Sequence, residues 1–267
     1  MPESRPGVSA RRPVAFETGR RALALARYQF RLKYRHTLLG VAWNVLEPAL
    51  FLGVLTFVFA VVNDMKVAEY AVFLFCTLVP WRYFEGTVTG CTESVVGGEW
   101  LLRRMPVSPF VFPLARWLLT SLEFAFAYPV ALVAIAVLKP GLGLPLLVVP
   151  LGLLVWSAAA LGLGMLCATA YVFLRDVRTL VQISLMLAFF SSPILVRADL
   201  FAPGSAQATL FKWHPVSYFA ALFQKPFHYG TFPSALDWTV AGSIAAVLLL
   251  AGWQALDAQR GRIYYGL

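Results

Sequence analysis

Three charged residues lie inside apolar stretches of this sequence, where a charge is costly. Arg82 and Glu85 are close enough to pair across one helical turn, and Glu123 falls within a later apolar run. In a membrane, such a charge costs about 3 kcal/mol on insertion scales and usually faces a partner or a water-filled cavity. The spacing predicts an internal Arg82–Glu85 ion pair; the alternative is that these charges line a polar conduit.

Aromatic side chains flank the same pair: Trp81, Tyr83 and Phe84. Rings of this kind form belts at membrane interfaces, but their flat faces also suit the C–H faces of sugar rings. We expect these three rings to line a channel as a stacking surface, with an interface belt as the alternative.

A third group is basic and places four cations close together, at Arg27, Arg31, Lys33 and Arg35. They lie in the segment 15–36, which a helical period divides into a face with Leu23, Ala26, Phe30 and Tyr34 and an opposite face with Leu25 and Leu32. This pattern predicts an amphipathic helix in the cytoplasmic membrane interface. Cations there suit a phosphate headgroup, although a basic flank that only sets topology is the alternative.

Patterns typical of enzymes are absent from the sequence. It has no GxSxG or HExxH motif, and its two Gly-Leu-Gly sequences at 141–143 and 162–164 are not followed by Gly-Lys-Ser/Thr. Cys76, Cys91 and Cys167 lie far apart, without metal-ligand spacing, and are expected to be buried free thiols. We therefore expect no catalytic residue, metal or bound cofactor, and no nucleotide site in this chain.

The elements that position these residues must be membrane helices. Of the 267 residues, 60% are hydrophobic and only 13% are charged, which is more apolar surface than a soluble core of this size buries. A span takes roughly 20 apolar residues, and six such regions centre on 48–62, 70–90, 117–138, 144–172, 180–196 and 238–256. The fifth is short and ends in Ser-Ser-Pro, so it is either a full span or a broken helix; we predict a span.

The expected fold is an all-α membrane protein with one domain. Residues 1–44 form its N-terminal segment with the interface helix, and 45–267 form the six-span part, with Pro48 in the first turn of span one. Nine of the 22 basic residues precede the first span and seven more fall in the other segments on that side, against five on the opposite side. Basic flanks stay in the cytoplasm, so both termini are expected there. The net charge of +9 then reflects topology and attraction to anionic lipid rather than nucleic-acid binding.

The segment between spans five and six is rich in rings but too short and broken to span. Irregular backbone at membrane depth is tolerated where protein covers it or it lines a cavity. We expect short re-entrant or interfacial helices here that form an outer gate, with candidate residues Trp213, His214 and Tyr218.

Small residues recur at four-residue spacing in two spans: Gly86 and Gly90 in the second, and Ala160, Gly164 and Ala168 in the fourth. Such spacing allows helices to approach closely. Packing within the chain is the favoured interpretation, and a dimer contact is the alternative.

The join Tyr34–Pro48 resembles the (R/K)YR-x-(T/S)-x-LG-x-x-W-x-x-x-x-P signature of ABC-2 family permeases, the transmembrane subunits of ATP-binding-cassette polysaccharide exporters. These include the O-antigen, group 2 capsule and teichoic-acid exporters. Further matches follow in order at 78–81, 99–106, 173–176, 192–193 and 214–218. At the last of these, His214 stands where the family commonly has Asn, which puts in doubt a gate role carried over to that position.

The resemblance implies a homodimeric channel in the bacterial cytoplasmic (inner) membrane, docked onto two ABC ATPase subunits that bind ATP and Mg. The matching coupling-helix residues, which would contact the ATPase, are Glu99, Trp100, Arg103 and Arg104, with Arg175 and Asp176 from the loop after span four. Ordinary positive flanks are the alternative for these positions. The N-terminal helix would lie where a lipid-linked substrate enters.

The expected function is therefore that of a permease subunit for ATP-driven export of lipid-linked polysaccharide. The lipopolysaccharide O-antigen is the first choice, capsule the second and teichoic acid the third. An exporter of a drug or small lipid would share the spans and coupling loops. A membrane-embedded glycosyltransferase would need an acidic or histidine cluster, and the sequence offers only scattered carboxylates.

Overall fold

The computed structural model describes residues 14–35, 38–62, 66–105, 107–141, 143–197, 200–202 and 204–261. The first 13 positions of the predicted N-terminal segment, and residues 36 and 37 of the join, lie outside these described residues. The described part is helical and contains no strand.

Ten α-helices follow one another: α1 Val14–Tyr34, α2 Trp43–Val62, α3 Val67–Gly97, α4 Glu99–Arg104, α5 Val111–Leu138, α6 Val149–Phe173, α7 Val177–Phe190, α8 Ala206–Trp213, α9 Pro215–Gln224 and α10 Ala235–Ala258. Short 3₁₀ turns at Gly40–Ala42 and Leu144–Val148 lead into α2 and α6, and a π-helix at Lys225–Tyr229 follows α9.

Four segments of the described chain are long and apolar enough to cross a membrane: Gly40–Val61, Val111–Leu138, Leu144–Phe173 and Ala235–Ala258. The other two predicted spans differ. Helix α3 has ample length at 31 residues, but polar residues such as Arg82 and Glu85 lower its hydropathy. Helix α7 has only 14 residues, which is shorter than the roughly 20 needed for a span. Six spans are therefore not confirmed, whereas the all-helical membrane class is.

Helix α3 is the centre of the bundle. It packs against α5 on one side and α6 on another, and α10 packs on α6. The largest apolar cluster includes buried Tyr70 and Phe73 of α3 with Trp156 of α6 and Ala241 of α10. Because α5 and α6 pack against α3, contacts with these helices hold the polar residues of α3 in place.

Helices α6 and α10 cross with their backbones in contact. A Cβ added at Gly252 would clash with the Gly162 carbonyl, and one added at Gly162 would clash with the backbone of Leu248. Gly164 faces α3, where a Cβ would lie 2.6 Å from Cys91 Cβ. The predicted close packing at Gly164 therefore lies within one chain, as favoured.

The chain enters α2 differently from the prediction. The turn lies at Gly40, whose φ of +51° favours glycine, and α2 begins at Trp43, so Pro48 lies inside the helix. The prediction that Pro48 occupies the first turn is wrong. The cause is the 3₁₀ turn Gly40–Ala42, which runs directly into Trp43.

Helix α1 runs lengthwise along the first half of α5. Ala22 and Ala26 are fully buried in a cluster with Val111 and Ala115. Leu25 also contacts this cluster, and Leu23 is exposed, which reverses the predicted placement of these two leucines. An amphipathic helix is present, but its predicted position flat in the interface is not confirmed.

Candidate functional site

A cleft of about 420 Å³ opens between α2, α3 and α5, beside the end of α1. Five charged residues line it: Lys33, Glu47, Arg82, Glu85 and Glu123. We call it the charged cleft. They come from four helices, α1, α2, α3 and α5. The cleft therefore forms only when the fold brings these helices together.

Arg82 is the hub of one side of the charged cleft. Its Nη1 lies 3.4 Å from Glu85 Oε2, and its Nη2 lies 3.7 Å from Glu47 Oε1 on α2. Its guanidinium carbon lies 5.2 Å from the centre of the Phe51 ring, within cation–π range. The predicted Arg82–Glu85 ion pair therefore forms, at the edge of the charged cleft.

Lys33 and Glu123 form the opposite side, where Lys33 Nζ lies 2.6 Å from Glu123 Oε1. Partial burial alone lowers the pKa of Lys33, but the hydrogen bond and charge of Glu123 outweigh it and raise the pKa above 10.5. Burial, followed by the charge of Glu123, likewise raises the pKa of Tyr34. Both shifts keep Lys33 charged and Tyr34 protonated at physiological pH.

Tyr34 links α1 to both neighbouring helices. Its Oη lies 2.5 Å from Asn44 Oδ1 and 3.2 Å from Glu123 Oε1. A phenol has one hydrogen, so it donates to one of these oxygens at a time. Asn44 Nδ2 is buried and has no hydrogen-bond partner in the described part of the chain. The hydrogen bond between Tyr34 and Asn44 fixes the start of α2 against α1.

The four predicted headgroup cations do not form one cluster. Arg27 and Arg31 lie four residues apart on one exposed face of α1, and exposed Arg35 follows directly after the end of the helix; we call these three residues the arginine face. Lys33 instead points toward α5 and Glu123. The charged cleft therefore borders a helix whose other side presents three exposed guanidinium groups.

The three predicted channel rings lie inside the bundle in this conformation. Trp81, Tyr83 and Phe84 are all less than 10% exposed. Phe84 stacks on Trp156 with ring centres 4.3 Å apart, and the Tyr83 hydroxyl lies 2.7 Å from Ser157 Oγ. They form neither a lipid-facing belt nor an open stacking surface here. An apolar cavity of about 370 Å³ is lined by Trp81 and Phe84 together with residues of α7 such as Leu185.

The predicted docking residues share one end of the bundle. Leu102 of α4 is buried in a cluster with Val95 of α3, Phe112 of α5, Val172 of α6 and Leu256 of α10. These residues lie at the adjoining ends of their helices. The end of α6 leads directly into Arg175 and Asp176, so both predicted docking segments face the same side.

Helix α4 presents its polar side outward. Glu99 Oε1 lies 2.6 Å from Arg103 Nη2, and Arg104 and Trp100 are exposed. Arg175 stacks over the Tyr171 ring at 5.3 Å, and Asp176 is exposed beside it. The surface is polar, with exposed rings at Trp100 and Phe173.

The segment between α7 and α10 contains helices α8 and α9, but their position relative to a membrane is not shown. Trp213 is exposed at the end of α8, and the Tyr218 hydroxyl donates to the Lys212 carbonyl. His214 caps α9, because its Nδ1 accepts a hydrogen bond from Val216 N–H at 3.2 Å. Asn is a favoured residue for this role, so the imidazole takes the part an Asn side chain plays.

The cysteines carry no metal site. Cys76 and Cys91 are buried free thiols and Cys167 is a partly exposed one. The described residues contain no group of three His, Cys, Asp or Glu side chains that could hold a metal ion.

Sequence reasoning missed the contribution of α2 to the charged cleft, including Trp43, Asn44 and Glu47. These three residues lie in the join that resembles the family signature. The available signal was Glu47, a carboxylate that enters an apolar run just as Arg82 does.

Residues 20–227 match the family model described as ABC-2 type transporter. Two proteins of Klebsiella pneumoniae, each named O-antigen export system permease protein RfbA, are 28% and 25% identical over 176 residues, which cover 64% of this chain and 66% of each relative. That share is just under two thirds of their length. A protein of the same name from Myxococcus xanthus is 24% identical over 238 residues, covering 89% of this chain and 92% of the relative.

Proposed function

The chain belongs to the ABC-2 type transporter family, and from that premise we propose that it is the permease subunit of an ABC exporter of lipid-linked polysaccharide. O-antigen is the favoured cargo and capsule the second. The similarity to three proteins named O-antigen export permeases carries the proposal. The chain acts as a multi-pass channel subunit in the cytoplasmic membrane, with six spans and both termini in the cytoplasm.

The work of transport comes from a separate pair of ABC ATPase subunits, which bind ATP and Mg. The surface formed by α4 and the loop after α6 supports this docking, since Glu99, Arg103 and Arg175 lie on one polar end of the bundle. Buried Leu102 anchors α4 to the ends of α3, α5 and α6. A displacement of α4 therefore reaches the spans through apolar contacts.

The substrate's anionic headgroup meets the arginine face of α1. One guanidinium group can donate two parallel hydrogen bonds to the oxygens of a phosphate. The guanidinium-bearing residues Arg27, Arg31 and Arg35 are all exposed. The polymer then passes between two copies of the chain, which act as a homodimer.

The buried rings enter this scheme through a second conformation. Trp81 contacts Phe189 of α7, and the apolar cavity lies between the rings and α7. An outward shift of α7 exposes Trp81 and Phe84, and Tyr83 follows when α5 separates from α3. Weak stacking on such rings lets a polymer advance without being trapped.

A charge-matched export assay tests the proposal. The double variant Arg27→Gln, Arg31→Gln should lose surface polysaccharide by at least tenfold while still assembling with its ATPase. The control variant Lys66→Gln, Lys212→Gln removes the same charge from exposed positions outside α1 and should export normally. Normal export by the first variant removes the headgroup role. Transport of a small dye in place of polymer removes the proposed cargo.

A further inference from the structure

The charged cleft carries one more negative than positive charge. Its lining contains three carboxylates, Glu47, Glu85 and Glu123, against Lys33 and Arg82. Both cations are already engaged, since Lys33 pairs with Glu123 and Arg82 with the other two. An incoming phosphate meets an acidic excess with no spare cation, so the cleft is poorly suited to an anion.

A hydrocarbon chain suits only the apolar side of the cleft. Besides its charges the cleft is lined by Asn44 and Thr89, and a bound alkyl chain offers such groups no hydrogen-bond partner, which is costly. Asn44 Nδ2 is already buried without a partner in the described part of the chain. That nitrogen is a donor that lacks an acceptor.

Aromatic rings line the same cleft on its apolar side. Trp43 is 43% exposed and Phe51 is 40% exposed, and Phe124 completes this side. A ring face beside carboxylate and amide groups complements a molecule with hydroxyl groups on its edge and C–H bonds on its face. The volume of about 420 Å³ lies within the range of small-molecule sites.

From this lining we infer that the charged cleft binds an uncharged sugar unit, stacked on Trp43 and hydrogen-bonded to Asn44 and the cleft carboxylates. The inference rests on the proposed function and extends it. Lys33 lines the cleft at the end of α1 and Arg35 follows it by two residues, so a phosphate held at Arg35 places the first sugar next to the cleft. The cleft thereby reads the reducing end of the polymer, separately from its phosphate.

Two synthetic probes separate the sugar site from the headgroup site. The first is farnesyl diphosphate, and the second is the same lipid with one N-acetylglucosamine attached. Binding of each to the full chain in nanodiscs is measured by calorimetry. Two new hydrogen bonds and a stacked ring should make the sugar-bearing probe bind about tenfold more tightly than the bare diphosphate.

Variants then locate the preference. In Trp43→Ala and in Asn44→Ala the two probes should bind within about twofold of each other, whereas Trp213→Ala, which removes an exposed ring elsewhere, should keep the tenfold difference. Glu47→Gln should leave affinity for farnesyl diphosphate unchanged, because no phosphate occupies the cleft. A rise in that affinity makes the cleft an anion site and overturns the inference.

The remaining outcomes are also decisive. Equal binding of both probes to the unmodified chain overturns the sugar site and leaves the headgroup proposal standing. A sugar preference that survives Trp43→Ala and Asn44→Ala places the sugar elsewhere and also overturns it. Binding of neither probe removes the proposed function together with this extension.

Discussion

Lys33 Nζ and Glu123 Oε1 lie 2.6 Å apart, so one ion pair ties the end of α1 to the middle of α5. The two residues are 90 positions apart. Glu123 is the more buried partner, with a side chain that is 20% exposed. The Glu123 carboxylate also lies beside the Tyr34 hydroxyl. Glu123 therefore links two polar residues of α1 to α5.

Removing the Glu123 carboxylate should weaken the attachment of α1 to α5. In Glu123→Gln we expect backbone amides of residues 26–34 to exchange about two- to fivefold faster, in line with the 0.5–1 kcal/mol or so of a partly exposed pair. Hydrogen–deuterium exchange in detergent measures this. The matched control is Glu17→Gln, which breaks the more exposed pair with Arg21 and should change exchange little. Equal effects of both variants contradict this role of Glu123.

A methyl group added where α6 and α10 cross should lower the stability of the protein. We expect Gly252→Ala to destabilise the protein by about 1–3 kcal/mol, because the new Cβ clashes with the Gly162 carbonyl. Gly242 lies on the same helix with open space around it, so Gly242→Ala should be neutral or stabilising by about 0.5 kcal/mol. Thermal unfolding in detergent compares the two; a Gly252→Ala protein as stable as Gly242→Ala refutes the close crossing.

The link between α3 and α4 offers a test with neighbouring glycines. A Cβ at Gly98 clashes with the buried ring of Phe112, whereas one at Gly97 meets nothing within 4 Å. If α4 is the docking helix, Gly98→Ala should displace it and lower ATPase activity in the assembled transporter by about threefold or more, and Gly97→Ala should not.

Copurification of the ATPase with each glycine variant shows whether the complex still assembles. Loss of activity with assembly retained supports a displaced docking helix. Indistinguishable ATPase rates in the two variants argue against α4 as the coupling element.

The His214 cap predicts a pH dependence. Burial lowers the pKa of His214 below its ordinary 6.5, and the cap requires Nδ1 to be unprotonated to accept from Val216 N–H. Below pH 6.5 the unfolded chain therefore binds the proton more readily. The contribution of His214 to the free energy of unfolding is fully present above pH 6.5. It is lost as the pH falls through the folded-state pKa.

Unfolding temperatures measured between pH 8 and pH 5 check the His214 prediction. His214→Asn keeps a cap that does not titrate, so it should show a smaller decline than the unmodified chain. Other histidines titrate in both proteins and cancel in the difference. Parallel pH profiles eliminate His214 as the source.

Local features of this protein were predictable, and contacts between distant segments were not. Composition alone indicated helices and a membrane, and the Arg82–Glu85 pair follows from a three-residue spacing. The pairing of Arg82 with Glu47 depends on how α2 docks on α3, which no local pattern encodes. The Ser-Ser-Pro sequence did mark the end of α7, which stops at Phe190, but the length of this helix, which is too short for a span, was not predicted.

The rings show why part of the site was misplaced. A ring in a membrane protein can face lipid, a channel or the core, and all three are compatible with an apolar run. Trp81 and Phe84 face the core because Trp156 and Phe219 of other helices stack around them. That environment is created by tertiary packing, so only the assembled bundle distinguishes the three cases.

The backbone contact between α6 and α10 has a mechanical consequence. The backbones of α6 and α10 touch at Gly162 and Gly252, with no side chain between them at that point, so separating these two helices breaks a close contact. By contrast, α7 buries only Leu185 among its described residues, and much of α2 is exposed. Displacing α2 or α7 therefore breaks fewer buried contacts than separating α6 from α10.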